Sequence, residues 1–548
     1  MMRSLQYPAP SRPVAMGVNG MVSSAHPLAS MAGLRVLVDG GNAFDAAVTT
    51  ASVLNVVEPY MSGMGGIGVG LAYVADEGRV RTLDFSGRAP LAAEPSLYTD
   101  EAKEIGILAA MVPGNVAGWL TLHETYGTLD RRRLFKPAID YAENGIPVTY
   151  LNSAKIAIGA ERLRQFPTSA AILLDGDGSG PAPGARLRMA QLAESLRTVA
   201  AGGKDAFYRG DLTRRIVEAS SAMGGIYSQE DFESYEARWA EPLSVRYRDF
   251  DVFTAPPNCS GFQVLQTLKL IETFQRDQLP FQHPDTLHLL IESIKLSMTD
   301  RVRYAGDPDH TQVPLDGLLS NGYARAQKTR IDQESSAALP GDRYATEHPE
   351  GSLAPGDTEA HTGGMTTHFA VADGQGNVVT ITQTLGGGFG SGVAIGDTGI
   401  FLNNMTSFFD LDEGSPNVIG SGKRVDFVVA PTQALRDGRF FLSMGTPGGY
   451  GIHQTTTQLL LHVLDYGMNV QQAIDAPRFK CLPGHEVELE ERFPVHVRSQ
   501  LAARGHELTL ADAWSMNVGG AHAIQFDAEQ GVFQGGADPR RDGYAAGW

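Results

Sequence analysis

One predicted hairpin constrains the fold of this chain more than any other feature. Residues 363–384 read GGMTTHFAVADGQGNVVTITQT, in which two strand-forming runs flank the segment DGQGN. Asp, Gly and Asn favour the positive-φ backbone of a hairpin turn. If Ala372 pairs with Val378, Thr366 lies opposite Thr384, and directly opposed Cβ atoms are about 4.5–5.5 Å apart. The sequence therefore predicts two hydroxyl groups within hydrogen-bonding reach.

Paired threonines have a structural and a catalytic interpretation. Threonine forms strands well, and cross-strand Thr pairs stabilise sheets. A Thr hydroxyl becomes a nucleophile when a base takes its proton, and cleavage before Thr366 would make its own α-amine that base. The pKa of a free α-amine, about 7.7–8, suits this work near neutral pH. The same hydroxyl can make the cut by attacking the preceding carbonyl, and Thr384 can orient or polarise it.

A second glycine-rich segment, GTPGGYG at Gly445–Gly451, is a candidate for stabilising a negatively charged oxygen. Consecutive glycines let backbone N–H groups approach a substrate closely. Most segments of this kind are only turns, so the hypothesis depends on where the fold places this one.

Helical patterns and strand-like hairpins occupy different parts of the chain. Two helical patterns lie on either side of Gly40-Gly41, and residues 113–165 and 189–245 are predicted to be mostly helical. From residue 366 onward the composition favours strands. The polar, Pro- and Gly-rich segment at about 330–365 is the best candidate linker. This order predicts an α+β fold with antiparallel sheets covered by helices.

Charge, cysteine content and hydropathy exclude several classes of function. The net charge of −18 comes without a Lys/Arg cluster, which argues against nucleic acid and anionic membranes as partners. Only two cysteines occur, far apart, and no CxxC or helical His pair suggests a metal site. No cofactor is predicted. The N-terminal residues lack a signal-peptide core, so we expect a cytoplasmic protein, unless the true start carries an export signal.

Distinctive motifs lie along nearly the whole chain. In chain order, they are GGNAFDAAV, NVVEPYMSGMGG, LDFSGRAP, MVPGNVAGW, DRVRYAGDPD, TTHFAVADGQGNVV, GIFLNN, PNV…GKR, GTPGG, DYGMNVQQAIDAPRF and GADPRRDGYAAG. Their sequences and order resemble those of the gamma-glutamyltranspeptidases, which are N-terminal-nucleophile hydrolases.

The resemblance implies a four-layer αββα sandwich and self-cleavage between Met365 and Thr366. Residues 1–365 would form a large subunit and residues 366–548 a small one, together making one composite domain, with a dimer of this unit left open. Thr366 would be the nucleophile and the new N-terminal base. Thr384 would support it, and Gly448 and Gly449 would donate to the oxyanion. The substrate would be a small-molecule amide.

The positions that hold the glutamyl group in this family are largely rewritten here. The family's arginine in LDFRExAP falls on Ser86, although Arg88 follows two residues later. The remaining substitutions at predicted substrate-binding positions are Gly386 for Asn, Met405 for Gln, Phe408 for the amine-binding Asp, and Phe427 and Val428 for paired serines.

Such changes favour an apolar or differently charged acyl group, because Phe cannot pair with an ammonium. Core packing with a slightly shifted alignment is the alternative for the aromatic positions, and an ordinary structural salt bridge is the alternative for Arg88. The first functional hypothesis is an amide hydrolase or acyltransferase similar to cephalosporin, glutaryl or oxamate-cleaving relatives. The second is a true γ-glutamyl hydrolase or transpeptidase, and the third is an inactive binding protein.

Overall fold

Two seven-stranded sheets form the centre of the protein, in a computed structural model that describes residues 11–337 and 365–548. The strands, numbered in chain order, are β1 (Ala15–Gly17), β2 (Gly20–Ser24), β3 (Ile67–Val74), β4 (Arg79–Phe85), β5 (Ile146–Pro147), β6 (Arg186–Leu187), β7 (Arg238–Ala240), β8 (Leu243–Tyr247), β9 (Phe250–Thr254), β10 (Met365–Asp373), β11 (Val378–Gly386), β12 (Thr432–Arg436), β13 (Arg439–Gly445), β14 (Phe479–Cys481), β15 (Glu486–Glu490), β16 (Glu507–Ala511), β17 (His522–Asp527), β18 (Val532–Ala537) and β19 (Tyr544–Gly547).

The α-helices of the described residues surround these sheets. They are α1 (Pro27–Val38), α2 (Ala43–Val57), α3 (Asp100–Glu104), α4 (Asn115–Tyr126), α5 (Arg131–Asn144), α6 (Tyr150–Arg164), α7 (Pro167–Leu173), α8 (Ala190–Tyr208), α9 (Asp211–Ala222), α10 (Gln229–Glu233), α11 (Phe262–Glu272), α12 (Pro284–Tyr304), α13 (Leu315–Leu318), α14 (Asn321–Lys328), α15 (Ile452–Leu464), α16 (Val470–Asp475) and α17 (Val495–Ala503).

Both large sheets are antiparallel, and each contains strands from both sides of Met365. The first has the order β1-β18-β17-β13-β12-β9-β8, and the second has the order β19-β2-β10-β11-β3-β4-β7. The hairpin β10–β11 lies between β2 and β3, which come from the N-terminal part of the chain. Residues 1–365 and 366–548 therefore share both sheets.

The side chains of β10 alternate between two layers, as the period of a strand requires. Phe369 and Val371 pack with the helices that cover the second sheet, whereas Ala370 and Ala372 pack with residues of the first sheet. A separate apolar cluster joins the outer face of the first sheet to α11, α12 and α15. The order of layers is helix, sheet, sheet, helix, which confirms the predicted αββα sandwich.

Local signals explain several helix boundaries. Asn42 begins α2 with a capping box, because its side chain accepts from the Asp45 N–H while Asp45 accepts from the Asn42 N–H. The break at Gly40-Gly41 separates α1 from α2, as the sequence predicts. The prediction of helix for residues 189–245 is wrong at its end, where β7 and β8 pair with neighbouring strands and tertiary pairing overrides local preference.

The cysteines, the membrane-crossing potential and the linker complete the description. Cys259 and Cys481 are both free and buried. Within the described residues, no helix combines the length and the apolar content that crossing a bilayer requires. Most of the predicted linker, residues 338–364, lies outside the described residues.

Candidate active site

The two threonines of the hairpin meet at its open end. Thr366 pairs with Thr384, as predicted, and the register shifts between Met365 and Thr366. Thr366 Oγ1 donates to Thr384 Oγ1 over 3.3 Å. The Thr384 hydroxyl in turn donates to the carbonyl oxygen of Met365 over 2.8 Å and accepts from the N–H of Gly386 over 2.7 Å. One hydroxyl thus connects the candidate nucleophile to the carbonyl of the predicted cleavage site.

Strand alternation turns Thr366 towards the first sheet. His368, two residues along β10, faces the same way and lies under the end of β13, where a Cβ on Gly445 would be 2.3 Å from its Cε1. Only glycine fits there without movement. His368 Nδ1 is hydrogen-bonded to Thr382 Oγ1 over 2.8 Å, and burial holds the pKa of His368 well below the usual range. This close packing puts the loop after Gly445 at the same end of the sandwich as Thr366.

Gly448 and Gly449 have backbone conformations that favour glycine. Their φ angles are 141° and 54°, in the region where a side chain would be strained. Among the described residues, neither N–H group donates a hydrogen bond, although Gly448 O accepts from the Gly451 N–H over 3.0 Å. Two unpaired N–H groups in this loop match the donors that an oxyanion needs.

Two titratable groups that sequence reasoning did not assign contact the start of β10. Thr367 donates to Glu58 Oε2 over 2.9 Å, and burial raises the pKa of Glu58 to about 7. Arg541 Nη1 lies 3.4 Å from the carbonyl oxygen of Thr366. The motifs NVVEPYMSGMGG and GADPRRDGYAAG contain these two residues. Their position in motifs shared with the family was the one sequence signal that could have marked them as site residues.

The four substituted positions Met405, Phe408, Phe427 and Val428 are called the apolar wall. Three of them are almost completely buried, with exposures of 1%, 1% and 3% for Met405, Phe427 and Val428. Met405 and Phe427 belong to the core cluster beneath α11, α12 and α15. Phe408 is half-buried, and its ring centroid is 5.9 Å from that of Tyr450, which follows the Gly448-Gly449 pair. A substrate-binding role for the wall stays a prediction, best placed at Phe408.

Gly386 has no room for the asparagine of the family pattern. Its φ is 99°, and an added Cβ would lie 2.3 Å from Asn404 Oδ1 and 3.2 Å from Met405 Sδ. Asn404 holds this position by accepting from the Gly387 N–H over 2.7 Å. The substitution therefore changes the packing of the loop as well as its hydrogen-bonding groups.

Arg88 has partners within the protein. Its Nη2 donates to the Asp231 carbonyl over 3.0 Å and to the Ser234 hydroxyl, both at or just after α10. Ser86, where the resemblance predicts the family's arginine, is buried and donates to Asn258 over 3.2 Å. These contacts account for both side chains structurally, and substrate binding by Arg88 stays a prediction.

A buried polar cluster lies apart from the hairpin, between α12 and the segment before β16. His288, Glu292 and His506 place one ligand-type atom each within 4.8 Å of one another. His288 Nδ1 and His506 Nε2 are 2.8 Å apart, whereas two nitrogens bound to one zinc ion at about 2.0–2.1 Å lie roughly 3.3 Å apart. Lys295 Nζ also lies 3.0 Å from Glu292. We interpret the cluster as hydrogen-bonded packing.

Comparison with known proteins identifies the family. A family model described as gamma-glutamyltranspeptidase matches residues 29–548. The chain belongs to the gamma-glutamyltranspeptidase family. This gamma-glutamyltranspeptidase homologue is 37% identical to the glutathione hydrolase-like YwrD proenzyme of Bacillus subtilis, over 97% of the chain and 99% of the relative. It is 36% identical to the acylase ACY 1 proenzyme of Pseudomonas sp. strain SE83, over 96% and 93%.

A solved structure supports the same assignment. The crystal structure of cephalosporin acylase from Bacillus halodurans superimposes with a TM-score of 0.89 at 32% identity, covering 100% of this chain and 99% of that one. The gamma-glutamyltranspeptidase homologue is thus an enzyme of the N-terminal-nucleophile hydrolase type, in a family whose members are glutathione hydrolases and acylases.

Proposed function

We propose that this chain is a self-cleaving amide hydrolase or acyltransferase that forms an acyl-enzyme on Thr366. The observation that carries the proposal is the chain of hydrogen bonds from Thr366 Oγ1 through Thr384 Oγ1 to the Met365 carbonyl. It supports attack by Thr366 on the bond that precedes it. The word proenzyme in the names of the Bacillus and Pseudomonas relatives agrees with a cleaved precursor.

Cleavage can use the hydrogen-bond chain directly. As Thr366 Oγ1 bonds to the Met365 carbonyl carbon, its proton passes to Thr384, and Thr384 gives its own proton to the carbonyl oxygen. The C–N bond then breaks as the tetrahedral hydroxyl gives its proton to the nitrogen, which frees the α-amine of Thr366 and leaves Met365 as an ester on its hydroxyl oxygen. Water hydrolyses this ester, which releases the Met365 carboxylate and restores the Thr366 hydroxyl. The products are a large subunit, 1–365, and a small subunit, 366–548.

Turnover repeats this chemistry on a substrate amide. The free amine of Thr366 takes the proton from its own hydroxyl, and Oγ1 attacks the substrate carbonyl. The N–H groups of Gly448 and Gly449 donate hydrogen bonds to the carbonyl oxygen as it becomes negatively charged. The ammonium of Thr366 then protonates the leaving nitrogen, and water or an acceptor amine resolves the ester.

The acyl group differs from γ-glutamyl in this proposal. Phe408 beside Tyr450 offers an aromatic surface where an ammonium would need a carboxylate. Gly386 offers no side-chain carbonyl. An acyl group without an α-amine fits these positions better.

A second candidate is a true γ-glutamyl hydrolase or transpeptidase. The observation in its favour is the 34% identity to the glutathione hydrolase proenzyme of Bacillus subtilis, over 97% of this chain. In that case contacts outside the apolar wall would hold the glutamyl ammonium.

Two measurements on the purified protein test the proposal. A denaturing gel with N-terminal sequencing should show a smaller chain that begins at Thr366, and an active protein that stays a single chain would exclude the mechanism. Release of nitroaniline should be faster from glutaryl-nitroanilide than from γ-glutamyl-nitroanilide. A clear preference for the γ-glutamyl compound would favour the second candidate, and turnover of neither would favour another amide or a binding protein.

A further inference from the structure

Arg541 is a buried cation in contact with the candidate nucleophile. It lies in the segment between β18 and β19 and is 8% exposed. Its Nη1 is 3.4 Å from the Thr366 carbonyl oxygen and 3.5 Å from Met61 Sδ, and its Nε has no partner. Among the described residues, no carboxylate lies within 4.0 Å of it, unlike the neighbouring Arg540, which binds Glu490 over 2.7 Å. A buried guanidinium without an ion pair calls for a reason other than stability.

Cleavage changes what holds Thr366 in place. The cut removes the covalent connection to Met365 and with it the hydrogen bond from Thr384 to the Met365 carbonyl. Thr366 keeps its pairing with Thr384 and the contact between its own carbonyl and Arg541. Backbone N and O atoms of one residue are less than about 3.7 Å apart, so the new amine lies within about 7 Å of Arg541 Nη1.

We propose that Arg541 is the positioning residue that clamps the new N-terminus and keeps its amine unprotonated and able to act as a base. The inference rests on the proposed function, because the amine exists only after cleavage. A neighbouring cation disfavours a second positive charge, so the ammonium releases its proton at lower pH than it otherwise would. The low dielectric of a buried site strengthens this effect.

Other charged and titratable groups around Arg541 modify its effect without replacing it. The groups whose charges interact with Arg541 are Glu58 and Tyr60 after α2, Lys155 on α6, His522 on β17, and Asp538 after β18. Asp542 interacts in turn with the Glu58 carboxyl group.

Two of these groups contribute little net charge near pH 7. Asp538 is paired with Arg478 and Arg540, and burial lowers the pKa of His522 to about 3. Asp542 accepts from the Thr149 hydroxyl, an uncharged group that does not cancel the charge of a carboxylate. Lys155 adds a second positive charge. Glu58 is the main opposing group, and burial raises its pKa to about 7.

The test is the pH profile of kcat/KM for the cleaved enzyme, whose acid limb follows loss of the proton from the Thr366 ammonium. Replacing Arg541→Gln removes the cation, so the ammonium becomes more stable and the limb should move to higher pH by about one unit. Arg541→Lys keeps the positive charge, so its acid limb should stay close to the wild-type position. Arg439→Gln, at the exposed start of β13, changes the net charge equally and should leave the limb in place.

A second variant keeps the inference testable if Arg541→Gln is not cleaved. Glu58→Gln removes the opposing negative charge, which is partial near pH 7 because burial raises the pKa of Glu58 to about 7. The acid limb should therefore move to lower pH, by less than the Arg541→Gln shift and with the opposite sign. The inference is overturned by a cleaved Arg541→Gln enzyme with an unmoved limb, by an equal shift in Arg439→Gln, or by a Glu58→Gln limb that stays in place or rises.

Failure of the proposed function gives a different result. In that case the wild-type protein remains a single chain, or the Thr366→Ala variant retains activity. A cleaved, active wild type with unchanged profiles in the variants rejects the role of Arg541 alone.

Discussion

The open end of the β10–β11 hairpin and the apolar wall lie in one enzyme but are built in opposite ways. At the hairpin, each hydroxyl has a defined partner, and the contacts lead from Thr366 to the Met365 carbonyl. At the wall, Met405 and Phe427 are part of the apolar core, and only Phe408 is partly exposed. The first region is organised by hydrogen bonds and the second by packing.

This difference teaches that reaction and recognition depend on separate physical features. The register of β10 against β11, together with the alternation of side chains along each strand, sets the positions of the reacting groups. The reaction can therefore be kept while the preferred acyl group of the substrate changes. The wall consists of the short 3-10 helix Met405–Phe408 and the segment that contains Phe427 and Val428. A substitution there alters the shape and charge of a surface. Changes at the hairpin should therefore abolish activity, whereas changes at the wall should alter stability or substrate preference.

The largest expected effect is that of Thr366→Ala. Without the hydroxyl, neither cleavage nor turnover has a nucleophile, and we expect a single uncut chain with activity reduced at least about 10⁴-fold. Thr366→Ser keeps the hydroxyl and is the matched control, with cleavage and measurable activity. Gel analysis and nitroanilide assays give both readouts, and an active Thr366→Ala protein would remove Thr366 from the mechanism.

Phe427→Ala tests whether the wall is core. Removing a fully buried ring should cost about 3–5 kcal/mol of unfolding free energy, because it leaves a cavity beneath α11 and α12. Phe408→Ala, in the same wall but half-exposed, should cost clearly less. The urea midpoint measures both, and equal midpoint shifts would contradict the distinction between these two positions.

Thr384→Ala removes the hydroxyl that contacts the Met365 carbonyl and the Gly386 N–H. Loss of one positioned hydrogen-bond donor at a reacting carbonyl costs about 10²–10³ in rate, and we expect cleavage to slow by that factor. The time course on a denaturing gel measures it. Thr382→Ala, whose hydroxyl binds His368 instead, is the control on the same strand face, and cleavage there should slow much less.

Phe408→Asp should produce the smallest effect and the most specific one. A carboxylate beside Tyr450 can pair with an ammonium, so the rate with γ-glutamyl-nitroanilide relative to glutaryl-nitroanilide should rise about fivefold, which corresponds to the roughly 1 kcal/mol of a partly exposed charge pair. Phe408→Asn introduces a side chain with the shape of aspartate but without its charge, and it should change the ratio of the two rates less. An unchanged ratio in Phe408→Asp would mean that the acyl group does not reach this residue.

The fold and the hairpin were largely predictable because their signals are local. The DGQGN turn and strand alternation gave the pairing of Thr366 with Thr384, which the structure confirms. The Asn42 cap and the break at Gly40-Gly41 gave the boundary between α1 and α2. Such features depend on neighbouring residues, so one sequence is enough.

Other features of the site depend on contacts between distant segments. Glu58 reaches Thr367 across 309 positions of the chain, and Arg541 reaches Thr366 across 175 positions. The burial of Phe427 follows from its packing beneath α11 and α12, which no local pattern encodes. Periodicity cannot reveal pairs of this kind, and the roles of Gly448, Gly449 and Arg88 stay predictions.

Both pieces of the cut enzyme, residues 1–365 and 366–548, contribute strands to each sheet. This sharing affects how the cut enzyme unfolds and refolds. Because β10 and β11 lie between β2 and β3, the two pieces cannot part without breaking the centre of a sheet. Once unfolded, they must find each other again, so refolding becomes bimolecular and depends on protein concentration. Heat inactivation of the cut enzyme should then be hard to reverse in dilute solution, while uncut Thr366→Ala can refold as a single molecule.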